Sequence, residues 1–111
     1  MIKTRESVYV RRKGMEIKRA LATKAYTVTT LAVATLSDFG FSADNINEAT
    51  RVVASTTANA LMITWDGTDP TSALGHPIAT NEWGNVDGPD ATSVKLIATG
   101  GNAPTTITLE R

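Results

Sequence analysis

Two Asp-Gly-x-Asp stretches, at 66–69 and 87–90, put paired carboxylates on short loops, where a hard cation such as calcium could bind. Neither stretch has the ligand spacing of an EF-hand or its closing Glu. Asp and Gly also build tight turns, Asp by accepting backbone N–H groups and Gly by taking positive φ. Turn chemistry is therefore the expectation, and no metal site is assigned. His76 is the one histidine and there is no cysteine, so a zinc centre lacks its ligands. Nucleophilic catalysis would need Ser or Thr beside a base that a third group holds. His76, between Gly75 and Pro77, instead reads as a loop histidine that fixes its neighbours. No catalytic residue and no cofactor is assigned, and the chain is not expected to be an enzyme.

Two further groups of residues suit binding. Trp65 and Trp83 could form an aromatic platform for sugars or bases. Trp65 follows the apolar Leu61-Met62-Ile63, which places it in the core or at its rim. Trp83 sits among Asn81, Glu82, Gly84 and Asn85, in what reads as an exposed loop, and suits an interface anchor. The second group is basic. Residues 1–24 carry eight basic side chains against two acidic, a net of +6, and residues 25–111 carry three against nine, a net of −6. Arg11, Arg12, Lys13, Lys18 and Arg19 are the candidate contact residues of this arm, together with Trp83. Arg-Arg-Lys can neutralise phosphates, so nucleic acid is one partner to consider. The acidic body and the single arm aromatic, Tyr9, favour protein–protein contact with charge guiding assembly.

The elements that must position these residues are mostly strands. Residues 1–24 read as an arm or edge hairpin: Ser7–Arg11 is β-prone, Lys13-Gly14 can turn, and residues 15–22 suit either a strand or a short helix. Met15 is an alternative start to Met1. From Ala25 onward β-branched runs alternate with turn signals. Tyr26–Thr29, Leu31–Ala34, Arg51–Ser55, Ala60–Trp65, Ser93–Ala98 and Thr105–Leu109 are the expected strands, and Ser42–Ala49 has room for one helical turn. Thr57-Ala58-Asn59 is short enough to close a hairpin, and Gly100-Gly101-Asn102 is a stronger hairpin signal. Ile107 and Leu109 alternate with Thr106, Thr108 and Glu110, which defines the inward face of the last strand. The expected fold is all-β, a small Ig-like or jelly-roll-like β-sandwich over residues 25–111 with the basic arm attached.

The chain has 111 residues, enough for one domain with a modest core. Only six residues are aromatic, so the core must come from Val, Ile, Leu and Ala, and stability is expected to lean on self-association or a partner. No apolar run approaches the ~20 residues of a membrane-spanning helix, and Met1–Glu6 lacks the apolar core of a signal peptide.

The stretch Trp65-Asp66-Gly67-Thr68-Asp69-Pro70-Thr71-Ser72-Ala73-Leu74-Gly75-His76-Pro77 resembles a signature of small phage structural proteins encoded among capsid and tail genes. The likeness continues through Lys95–Gly100 and Thr106–Leu109, and the arm lies outside it. It implies a compact β-sandwich in a virion, as a capsid decoration, collar or head–tail accessory protein. Its partners would be major capsid, portal, neck or tail proteins and copies of itself. It would be made in the host cytoplasm and have no membrane role. The Asp-Gly-Thr-Asp-Pro-Thr piece also looks like a loop in Ig-like modules of chitin- and hexosamine-degrading enzymes. A carbohydrate-binding module, displayed on a virion or elsewhere, is therefore the alternative.

Overall fold

The computed structural model describes residues 19–87 and 92–111. They form eight strands and one short helix: β1 (Ala20–Val28), β2 (Ala34–Thr35), α1 (Ala43–Glu48), β3 (Arg51–Thr56), β4 (Leu61–Thr64), β5 (His76–Ile78), β6 (Trp83–Asp87), β7 (Lys95–Ala98) and β8 (Ala103–Glu110). Two antiparallel sheets result, in the orders β1-β8-β3-β6 and β2-β7-β4-β5. The pairs β1·β8, β2·β7, β3·β6 and β4·β5 make a ribbon folded at the β4–β5 loop. Wrapping that ribbon brings β8 beside β3 and β7 beside β4, which is the jelly-roll arrangement. Between the two sandwich topologies that strand patterning leaves open, the pairing selects this one.

Alternation builds the core. Val52, Ala54 and Thr56 of β3 face inward, as do Ala103, Thr105, Ile107 and Leu109 of β8, and all are buried. Leu61, Ile63, Leu96 and Ala98 meet them from the other sheet. Phe39 and Phe41 close one side and are buried, and the Tyr26 ring packs on Phe39 at 5.2 Å between centroids. The expected helical turn is α1. Its Ser42 cap accepts the Asn45 N–H at 3.1 Å, satisfying one of the donors that a helix start leaves unpaired.

Both expected hairpins are corrected. Thr57–Asn59 leads from β3 in one sheet to β4 in the other, and Gly100–Asn102 likewise leads from β7 to β8. Each is a corner of the sandwich. The reason lies in the flanks: β3 is already paired with β8 and β6, and β8 with β1 and β3, so neither has an edge for its chain neighbour. Asn59, at φ 64°, ties the two corners together through Nδ2, which donates to the Asn102 carbonyl at 2.9 Å.

Three boundaries also move. Of the expected strand at 31–34 only Ala34 is extended, in β2. The block at 1–24 does not end where the sandwich begins, because β1 starts at Ala20 and pairs along its length with β8. Arg19 joins it by exchanging two backbone hydrogen bonds with Arg111, at 2.7 and 2.9 Å. Trp83 and His76, both read as loop residues, are the first residues of β6 and β5.

Candidate functional site

The β4–β5 loop carries the distinctive motif, and its residues bond chiefly to one another. The Thr68 N–H donates to Asp66 Oδ1 at 3.0 Å, and Thr64 Oγ1 donates to the Thr68 carbonyl. Gly67, at φ 87°, allows the reversal. Thr71 and Leu74 exchange backbone hydrogen bonds at 2.9 and 3.3 Å, and the Ala73 N–H donates to Thr71 Oγ1. Pro70 is buried beneath them. Gly75, at φ 140°, lies against β4 so closely that a Cβ there would meet the Met62 Cβ at 3.2 Å. The Thr68 backbone and hydroxyl together hold the Asp66 carboxyl below its ordinary 3.8, although the group is fully exposed.

This loop frames an open cleft of about 400 Å³ lined by Thr64, Trp65, Asp66, Thr68, Leu74, Gly75 and His76. The rings of Trp65 and His76 stack on one wall, with centroids 4.4 Å apart and planes 22° apart. The indole is half-buried and packs on the core, as its place after an apolar strand led us to expect. Leu74 is half-exposed on the same cleft. Chemically, the cleft offers a flat aromatic pair, one carboxylate and hydroxyls, a set suited to packing against a sugar or a small apolar side chain.

The two carboxylates of the first Asp-Gly-x-Asp stretch serve different partners. Asp66 holds the turn, and Asp69 accepts Lys95 Nζ at 2.8 Å. In the second stretch, Asp87 accepts from Arg51 Nε, while residues 88–91 lie outside the described residues. Among the described residues no group of three or more His, Asp or Glu side chains is placed to hold a metal.

Trp65 and Trp83 do not make a shared platform. Trp65 follows the end of β4, whereas Trp83 pairs with Ser55 in the other sheet, where β3 turns away towards β4. Trp83 is 60% exposed. It projects from the outer face of the β1-β8-β3-β6 sheet, because Val86 on the same strand points inward. Arg19 is exposed beside the chain terminus; Arg11, Arg12, Lys13 and Lys18 lie outside the described residues.

Trp83 stands on a surface that sequence reading did not identify. The register aligns Ala25, Thr106, Ser55 and Trp83 in one row across the outer face. The next row holds Thr23, Thr108, Val53 and Asn85, with the hydroxyls of Thr23 and Thr108 2.8 Å apart. These two rows are uncharged and, Trp83 apart, built of small or medium side chains. The outward threonines of β8 were legible from alternation, but their neighbours across the sheet were not. No protein-family model, no curated protein and no solved structure matches this chain.

Proposed function

We propose that this chain is a structural component of a bacteriophage particle, a capsid decoration, collar or head–tail accessory protein that works by protein–protein contact. The observation that carries the reading is Trp83, a large aromatic 60% exposed in an uncharged row on the outer face of its sheet. An aromatic held on a rigid strand is the kind of residue that dominates contact energetics. Three features support it. The motif running from Trp65 to Pro77 resembles the phage signature, the jelly roll is a recurrent fold of capsid domains, and the charge of residues 1–24 opposes that of the rest. Fold by itself does not assign function, so the weight falls on the surface. The basic arm, with Arg11, Arg12, Lys13 and Lys18, reaches a neighbouring subunit from the sandwich edge where Arg19 is exposed, and charge guides the approach.

The test is to produce the tagged chain alongside the virion proteins encoded next to it and to purify the particles. Co-purification that Trp83→Arg or deletion of residues 1–14 weakens supports the reading. Particles that assemble complete without the chain, and never retain it when it is supplied, overturn it. The second reading, a carbohydrate-binding module, draws on the Trp65–His76 cleft and on the jelly roll's use in lectins. Binding on a glycan array that Trp65→Ala removes and Trp83→Ala leaves intact would select it.

A further inference from the structure

We infer that the outer face of the β1-β8-β3-β6 sheet docks on the same face of a second copy, about a two-fold axis running parallel to the strands. The inference rests on the reading of this face as a contact surface and names the partner. A rotation about that axis keeps each row at its own height and reverses the strand order. β1 then lies over the partner's β6, and β8 over the partner's β3.

Three rows of the face accept their own reversal under that operation. In the first, Trp83, the bulkiest group, lies over the position of Ala25, the smallest, and Thr106 lies over that of Ser55. In the second, Thr23 lies over the position of Asn85, and Thr108 over that of Val53. The third holds Ala20, Glu110, Arg51 and Asp87, and its charged members are paired within the chain: Arg51 Nη1 is 3.5 Å from Glu110 Oε1, and Arg51 Nε binds Asp87, which lies over the position of Ala20. Reversal brings Glu110 opposite the copy's arginine and Arg51 opposite its glutamate. The other in-plane two-fold, perpendicular to the strands, keeps each strand over its own copy. It sets the charged row over the uncharged end of the face, and Trp83 over the β6 column. Charge and size thus select the parallel axis, and an isologous contact needs this kind of self-complementarity.

Four strands spaced ~4.8 Å apart give a footprint on the order of 400 Å². That is below the ~800 Å² per partner of a standard stable interface. The pair is therefore weak in isolation and gains strength where many copies are held together, so the test must trap it. Thr23 and Asn85 lie three strands apart, roughly 14 Å, within one chain, whereas residues that face each other across packed sheets lie ~10 Å apart, within reach of a short thiol cross-linker though beyond a disulfide. Across the inferred axis they face each other.

Full-length chains carrying Thr23→Cys and Asn85→Cys, mixed and treated with a short bis-maleimide cross-linker, are expected to give a covalent dimer, and neither chain alone should. Adding Trp83→Arg to both should lower the yield by about tenfold or more. Thr23→Cys chains that link to one another would place the axis the other way and overturn the inference. A failure to link, with a monomer in sedimentation at the highest soluble concentration, would also overturn it. The contact role proposed above would stand or fall separately on particle co-purification.

Discussion

The imidazole of His76 stacks on the indole of Trp65, with centroids 4.4 Å apart, so the residue that opens β5 closes over the residue that follows β4. Eleven positions of sequence separate the two rings, and the loop between them is folded on its own hydrogen bonds. The stack thus pins the single β4–β5 turn at which the ribbon of strands reverses.

Removing the imidazole should loosen that turn. In a Trp83→Phe background, where Trp65 is the one remaining indole, His76→Ala is expected to shift the emission maximum to the red. It should cost about 1 kcal/mol, the usual size of an aromatic pair beyond its buried area. Fluorescence and urea denaturation read the two effects, and an unchanged spectrum would show that the stack does not shield the indole.

The Asp66 carboxyl is held below 3.8 in the fold, principally by the Thr68 backbone N–H and then by its hydroxyl. A depressed folded value means that the carboxylate supports the loop above its unfolded value and stops doing so as pH falls through the folded one. Protection of the Thr68 amide from hydrogen exchange should therefore decline on acidification below 3.8. Asp66→Asn, which cannot titrate, should remove that dependence.

Asn59 does two things at the corner between β3 and β4: it adopts φ 64° and donates Nδ2 to the Asn102 carbonyl. Asn59→Gly keeps the backbone and loses the bond, at a cost of about 1 kcal/mol. Asn59→Ala loses the bond and adds the strain of a left-handed conformation, for a total of about 2 kcal/mol. Thermal or chemical denaturation checks the order, and equal costs would mean that the backbone at this corner is unstrained.

Leu96 is completely buried on β7, among the inward side chains of both sheets. Leu96→Ala is expected to cost about 2–5 kcal/mol through lost burial and a residual cavity. In a small core of few aromatics that is a large share of the total. By contrast, Lys95→Ala next to it removes a 2.8 Å pair with a mostly exposed Asp69 and should cost under ~1 kcal/mol.

β-branched runs between turn signals already determined that this chain is all-β, and the alternation of Ile107 and Leu109 with Thr106, Thr108 and Glu110 determined which face of β8 turns inward. Burial depends on side chains two residues apart, which the sequence states directly. The same local logic anticipated the Ser42–Ala49 helical turn and the turn chemistry of Asp66-Gly67-Thr68-Asp69. It failed at Thr57–Asn59 and Gly100–Asn102, where short turns that suit hairpins cross between sheets. Only tertiary pairing decided that, because β3 and β8 spend both edges on strands distant in sequence. The row of Ala25, Thr106, Ser55 and Trp83 has the same origin. Its four members come from four separated strands, and only the hydrogen-bond register between them makes one surface.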